Sequence, residues 1–136
     1  MPIIEHSAVL PAPPERVYPL LARVENFVDY SDMITSIEPL GEDRYRWQLH
    51  VIGRDWQFDV QVVERHEPRV LAWESLAGVA NQGRYTLVAV PEGTRVELCV
   101  SYQLGNRWLA KAVDKAATPL VNQVSRQILS RVEARL

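Results

Sequence analysis

Three polar side chains fall at positions that alternate with apolar residues in the second half of the chain. Ser75 follows Trp73 at a spacing of two, and Asn81, Tyr85 and Leu87 share one parity in the next segment. Side chains two apart on a β-strand point to the same face of a sheet, which predicts that these polar groups face an apolar interior. There an amide or a phenol can hydrogen-bond a carbonyl or an enolate, and a phenol can act as a general acid.

Ser75, Asn81 and Tyr85 are therefore the candidate catalytic groups of this sequence. The alternative is structural, since a buried polar group must be paired and partners within the fold suffice. The sequence has no Gly-x-Ser-x-Gly, no His-Glu-x-x-His and no glycine-rich phosphate loop. Its single cysteine, Cys99, is predicted to point outward, and no histidine cluster supplies a zinc spacing. We expect no metal site and no cofactor.

Aromatic rings are frequent at the inward positions of the same segments. Aromatic walls with a few placed polar groups form pockets for flat apolar ligands, although any one ring could equally fill a core. The predicted ligand-binding residues are Phe27, Tyr30, Trp47, Trp56, Phe58, Trp73, Ser75, Asn81, Tyr85, Leu98, Tyr102, Leu109, Val113 and Leu120.

Residues 36–102 have the pattern of an antiparallel meander. In residues 44–51 every second residue is apolar, which places Tyr45, Trp47 and Leu49 on one face of a strand. Similar segments follow, each bounded by a turn signal. The turn signals are Gly41-Glu42-Asp43, Gly53-Arg54-Asp55, Glu67-Pro68-Arg69, Ala77-Gly78 and Pro91-Glu92-Gly93.

Helices are predicted on both sides of this meander. Residues 3–10 form a first strand, a helix begins near Pro13, where proline is tolerated in the first turn, and a second short helix covers about residues 25–30. Residues 106–136 form one long amphipathic helix, because apolar residues recur there every three or four positions. Its predicted stripe is Leu109, Val113, Ala116, Leu120, Val124, Ile128 and Val132. This stripe is expected to pack across the concave face of the sheet.

Composition describes one globular domain, residues 1–136, with 47% hydrophobic and 24% charged residues. The net charge is −2 and no run of lysines or arginines tracks a phosphate backbone, so nucleic acid is not an expected partner. No segment has the length and hydrophobicity of a membrane span or the pattern of a signal peptide. With one cysteine, the chain fits a reducing, cytoplasmic setting.

Positive charge is concentrated in the predicted last helix. Residues 106–136 carry a net charge of +4, which leaves −6 for the rest of the chain. A basic amphipathic helix can contact an anionic membrane surface, a ribosome or another protein. The simpler interpretation is that the basic face of this helix is exposed to solvent. The sequence leaves the oligomeric state open.

The order of these elements resembles the helix-grip fold of the START-like (SRPBCC, Bet v 1-like) superfamily, and more narrowly its polyketide cyclase/dehydrase branch. The resemblance covers nearly the whole chain. The segments that carry it are Pro11-Ala12-Pro13-Pro14-Glu15-Arg16-Val17-Tyr18, Asn26-Phe27-Val28-Asp29-Tyr30, Leu71-Ala72-Trp73-Glu74-Ser75, Asn81-Gln82-Gly83-Arg84-Tyr85-Thr86-Leu87, Thr94-Arg95-Val96 and Ser101-Tyr102.

The resemblance implies an α+β fold in which a curved antiparallel sheet of about seven strands wraps a long C-terminal helix, with two short helices after the first strand. It also implies a hydrophobic tunnel for a lipid, polyketide, quinone or similar molecule. Three functions follow: binding of such a ligand, cyclase/dehydrase-type catalysis, or protein and ribosome interaction through the basic helix. The resemblance implies that cyclases of this superfamily steer a reactive polyketide with pocket Arg, Tyr, Ser and Trp residues. Arg46, Arg54 and Arg84 have outward or turn positions here.

Overall fold

The computed structural model describes residues 3–51, 53–103 and 107–136, and within them the side chains of all but residues 103, 107–118 and 120. The elements, in chain order, are β1 (Ile3–Leu10), α1 (Pro14–Ala22), a 3-10 turn (Val24–Asn26), α2 (Phe27–Tyr30), β2 (Ile34–Gly41), β3 (Arg44–Val51), β4 (Arg54–His66), β5 (Val70–Gly78), β6 (Ala80–Val90), β7 (Gly93–Gln103) and α3 (Arg107–Glu133).

The seven strands form one antiparallel sheet in the order β1-β7-β6-β5-β4-β3-β2. Strands β2 to β7 form a meander, and β1 pairs with β7 at the far edge from β2. Register shifts interrupt the β4–β5 pairing between Asp59 and Val60 and between Val62 and Glu64. Such irregularities bend and twist a strand, which helps the sheet to curve. The predicted α+β helix-grip architecture is confirmed.

Helix α1 begins at Pro14, where the missing N–H of proline would have no intrahelical partner. Val17 and Leu21 of this helix are fully buried. The hydroxyl of Tyr18 donates a hydrogen bond of 3.0 Å to the carbonyl oxygen of Val70 on β5. Helix α1 is thereby fixed against the sheet, and the two short helices follow β1 as the sequence predicts.

The inner face of the sheet carries the residues that the alternating pattern places there. In the strand register, Trp47 of β3 lies opposite Phe58 of β4, and Tyr85 of β6 lies opposite Leu98 of β7. The neighbouring positions on the strands are mostly polar, and each is exposed or half-buried, as expected for a sheet with one solvated face.

Helix α3 covers this inner face with its C-terminal half. Ile128 and Val132 of the predicted stripe are buried and Val124 is half-buried, whereas the stripe residues Leu109, Val113, Ala116 and Leu120 lie outside the described side chains. The same is true of Lys111 and Lys115 on the predicted basic face. Near its end, α3 is tied to the segment around α2 by ion pairs of 2.8 Å from Arg131 to Asp32 and 3.0 Å from Arg135 to Asp29.

Candidate functional site

A cavity of about 280 Å³ lies between the inner face of the sheet and helix α3. Eight of the predicted ligand-binding residues line it: Phe27, Trp47, Phe58, Trp73, Asn81, Tyr85, Leu98 and Tyr102. The rest of the described lining is aliphatic apart from Ser125: Val24, Leu49, Val60, Val62, Leu71, Val79, Val100, Val121, Val124 and Ile128. None of these residues carries a charge.

The aromatic rings of the cavity pack against one another. The rings of Trp47 and Phe58 stack at 5.9 Å between centroids with 17° between their planes. Phe27 contacts Trp47 at 5.6 Å and Tyr85 at 6.2 Å, and Trp73 lies 5.8 Å from Tyr85. Offset and tilted pairs at such distances attract each other and hold the rings in place. The cavity therefore has a wall of mutually supported rings.

Two hydrogen-bond donors of this wall have no partner among the described residues. The indole Nε1 of Trp47 is buried without a hydrogen bond. Tyr85 is 2% exposed, and none of the hydrogen bonds described for the chain involves its hydroxyl. Burial raises the pKa of Tyr85 well above its ordinary value, so the phenol keeps its proton at neutral pH. Unpaired buried donors are unusual in folded proteins and need an explanation.

The other predicted polar residues form a small closed network. The indole N–H of Trp73 donates to Oδ1 of Asn81 at 3.1 Å, and Nδ2 of Asn81 donates to the carbonyl oxygen of Val79 at 2.8 Å. The backbone N–H of Asn81 donates to Oγ of Ser75 at 2.9 Å. These groups are paired within the protein, so Ser75 and Asn81 follow the structural alternative, in which partners within the fold satisfy them. Tyr85 differs from them because its hydroxyl is unpaired in the described part of the chain.

The whole chain, residues 1–136, matches the model of the family described as polyketide cyclase/dehydrase and lipid transport. The chain belongs to this family. Among the curated proteins, none matches the sequence.

Solved structures share the fold of this family member. The protein TTHA0849 from Thermus thermophilus has a TM-score of 0.82 and 25% identity over 98% of this chain and 96% of its own. A START superfamily protein from Mycobacterium smegmatis has a TM-score of 0.78 and 16% identity over 98% and 99% of the two chains. The Zhui aromatase/cyclase from Streptomyces sp. R1128 has a TM-score of 0.76 and 18% identity over 98% and 92%.

Three predicted wall residues of this family member lie outside the cavity lining. Tyr30 packs behind Phe27, fully buried, and its hydroxyl donates to the carbonyl oxygen of Leu20 at 2.9 Å. Trp56 lies at the start of β4, where its indole N–H bonds the carbonyl oxygen of Val51 at 3.1 Å. Ser75 is the third. The predicted ligand-binding residues Leu109, Val113 and Leu120 lie outside the described side chains.

A polar pair that the sequence prediction omits also belongs to this site. Oγ of Ser125 on α3 lies 2.8 Å from Nδ1 of His6 on β1, and Ser125 lines the cavity. Each residue has a visible signal in the sequence: His6 shares the parity of Ile4 and Leu10, and Ser125 adjoins the apolar stripe of the last helix. The signal for their contact is missing, because 119 positions separate them.

The arginines of the sheet point away from the cavity, as predicted. Arg46 forms an ion pair of 3.0 Å with Asp59, and Arg84 forms one of 2.7 Å with Glu64. The guanidinium of Arg54 lies 5.6 Å from the ring centroid of Trp56. The described wall of the cavity is therefore neutral as well as apolar.

Among the described residues, no group of three histidine, cysteine, aspartate or glutamate side chains is close enough to hold a metal ion. Among the same residues, no helix has both the length and the hydrophobicity to cross a membrane.

Proposed function

We propose that this protein binds one small, neutral, apolar molecule that carries a hydrogen-bond acceptor such as a carbonyl oxygen. The family description includes lipid transport, and the fold neighbours include a START superfamily protein and an aromatase/cyclase. A cavity near 280 Å³ is close to the lower end of the range that small-molecule sites occupy. Its uncharged lining favours a neutral ligand, because an ion would lose its hydration without gaining a counter-charge.

The unpaired hydroxyl of Tyr85 is the observation that carries this proposal. A donor that a bound ligand shields from water without accepting its hydrogen bond costs about 1–3 kcal/mol. A ligand carbonyl that accepts this hydrogen bond removes the penalty, whereas a hydrocarbon of the same shape does not. The cavity thus favours acceptors over donors among ligands of equal size.

The experiment compares two probes that differ in one atom group. 2-Acetylnaphthalene has a ketone oxygen where 2-isopropenylnaphthalene has a methylene group, and both are neutral and flat. Their affinities are measured by quenching of tryptophan fluorescence in the wild type and in Tyr85→Phe. We expect the variant to bind the ketone about tenfold more weakly, the equivalent of one hydrogen bond of about 1.4 kcal/mol, and the hydrocarbon with unchanged affinity.

Tyr18→Phe is the matched control, because Tyr18 is buried outside the cavity and its hydroxyl is paired with Val70. This variant should bind both probes like the wild type. If neither probe binds to the wild type, the proposed function is overturned. An equal effect of Tyr85→Phe on the affinities for both probes would contradict a hydrogen bond from Tyr85 to a ligand carbonyl.

A second candidate function is cyclase/dehydrase-type catalysis, and the same phenol favours it. The protonated hydroxyl of Tyr85 can donate a hydrogen bond to an enolate that develops on a bound polyketone. Such a hydrogen bond stabilises the transition state. This function predicts that turnover of a poly-β-ketone substrate falls in Tyr85→Phe while binding of the substrate is retained. Equal turnover in the variant would exclude Tyr85 from that role.

A further inference from the structure

Ser125 separates the cavity from a histidine. Its Oγ lies 2.8 Å from Nδ1 of His6, and Ser125 is 1% exposed and lines the cavity. His6 is half-buried on β1, opposite Leu98 of β7, and is not part of the described cavity lining. The hydroxyl of Ser125 therefore lies at the cavity wall. The imidazole of His6 lies on the side of Ser125 away from the cavity, near solvent.

A hydroxyl hydrogen-bonded to an imidazole is the arrangement that activates a serine nucleophile. Burial lowers the pKa of His6, and the nearby guanidinium of Arg126 lowers it further. The imidazole is therefore uncharged at neutral pH and can accept the proton of Ser125. Tyr85, whose hydroxyl takes part in none of the described hydrogen bonds, lines the same cavity.

We propose that Ser125 is a nucleophile with His6 as its base, and that the cavity accepts apolar aryl esters or thioesters as acyl donors. The inference rests on the proposed function, since the ester must first occupy the cavity. Oγ of Ser125 forms a bond to the acyl carbon while its proton passes to Nδ1 of His6. The bond from the acyl carbon to the leaving oxygen or sulfur breaks, and the phenolate or thiolate departs with the electron pair. The proton then leaves the half-exposed imidazole for water.

The position of His6 explains why the donor must be activated. Because His6 stands behind Ser125 and outside the described lining, it is poorly placed to protonate a leaving group inside the cavity. A phenolate or thiolate departs without that proton, whereas an alkoxide does not. For the same reason His6 is poorly placed to activate a water molecule on the cavity side. The acyl-serine should therefore accumulate, which gives a burst of one leaving group per chain.

The experiment uses 2-naphthyl acetate with the purified full chain. Release of 2-naphthol is followed by fluorescence, and the acetyl group is located by intact mass and peptide mapping. We expect a burst of about one equivalent of naphthol and one acetyl group on Ser125. 2-(2-Naphthyl)ethyl acetate, an alkyl ester with the same ring, should stay intact. An excess of 2-isopropenylnaphthalene should suppress the burst by occupying the cavity.

Three variants separate the roles. Ser125→Ala should lose the acetylation, and His6→Gln should slow the burst by about 100-fold or more, as expected for loss of a general base. Ser130→Ala, which removes an exposed hydroxyl from the same helix, should behave like the wild type. Folding of each variant is checked by circular dichroism, and His6→Asn replaces His6→Gln if the latter is unfolded.

Two results would overturn the inference. One is a chain that binds 2-acetylnaphthalene but carries no acetyl group on Ser125, which would leave the proposed function intact. The other is acetylation of Ser125 that proceeds at the wild-type rate in a folded His6 variant. Failure to bind either naphthalene probe, together with no acetylation, would overturn the proposed function and this inference together.

Discussion

The indole ring of Trp73 lies directly over Gly83, its register partner on the neighbouring strand. A Cβ atom built on Gly83 would overlap the six-membered part of that ring. Glycine is therefore required here for space, and Gly83 is not among the residues with positive φ. The absence of a side chain at Gly83 sets how deeply the ring of Trp73 packs on the sheet, and so how much of the cavity it leaves open.

Gly83→Ala should push the ring of Trp73 away from β6 and into the cavity. Overpacking of this kind costs typically about 1–3 kcal/mol of unfolding free energy. We also expect weaker binding of 2-acetylnaphthalene, because the displaced ring takes up ligand space. Urea denaturation and fluorescence titration measure the two effects. Gln82→Ala, an exposed neighbour on the same strand, is the control. A variant with unchanged stability and affinity would contradict this packing.

Trp73 and Trp56 provide a comparison between two tryptophans that the sequence pattern treats alike. Trp73→Ala removes a wall of the cavity and should cost about 3 kcal/mol, the lower end of the range for truncating a large aromatic side chain, because Trp73 is half-buried. It should also change the affinity for both naphthalene probes. Trp56→Ala should leave those affinities unchanged, since Trp56 is outside the cavity lining. A change in affinity for Trp56→Ala as large as that for Trp73→Ala would argue against the described wall.

Asp43 holds three parts of the fold together. Its carboxylate accepts two hydrogen bonds from the guanidinium of Arg65, at 2.6 and 2.7 Å, and one from the hydroxyl of Tyr45 at 3.1 Å. Nη1 of Arg65 also donates to the carbonyl oxygen of Ala22 at the end of α1. Asp43 has a φ of 61°, which asparagine also tolerates. Asp43→Asn thus removes the charge with little backbone strain.

Asp43→Asn should lower the unfolding free energy at pH 7 by about 1–2 kcal/mol, a modest value because the pair is a third exposed and partly screened by solvent. The hydrogen bonds from Arg65 lower the pKa of Asp43, so its contribution is present above pH 4 and is lost as the pH falls through the folded-state pKa. The difference between wild type and variant should shrink in denaturation curves at pH 3. A difference that is constant with pH would contradict this. Asp55→Asn, at a side chain 90% exposed, should have little effect.

His6 should make the protein less stable in mild acid. Burial lowers its pKa in the folded chain, so the unfolded chain takes up a proton first as the pH falls below about 6.5. This stabilises the unfolded state by at most about 1.4 kcal/mol per pH unit. His6→Gln removes the titration, so the variant should lose less stability between pH 7.5 and pH 5.5, measured by urea denaturation. Parallel stability curves for the two proteins would contradict this account.

The faces of the strands were predictable because alternation has a period of two, whichever tertiary contacts follow. Tyr45, Trp47 and Leu49 all fall on the inner face of β3 as the pattern requires. Parity does not show which of the inward positions line the cavity. Trp56 has inward parity, but it belongs to the β3–β4 hairpin end, where it pairs with Val51 outside the cavity lining.

The polar part of the site was less predictable, because it depends on distances across the fold. Ser75, Asn81 and Tyr85 all have inward parity in the sequence, yet of the three only the hydroxyl of Tyr85 has no partner in the described structure. The contact between His6 and Ser125 joins the first strand to the last helix. A single sequence shows that each residue adjoins an apolar pattern, but it contains no signal that the two meet.

The most direct test of the central claim uses the indole N–H signals of the tryptophans. A ¹⁵N-labelled sample is titrated with 2-acetylnaphthalene, and the signals are assigned with single Trp→Phe variants. Binding in the cavity predicts saturable shifts at Trp47 and Trp73 with a stoichiometry of one, and an unchanged signal at Trp56. Signals of Trp47 and Trp73 that stay in place, or that move no more than that of Trp56, would contradict a ligand site between the sheet and α3.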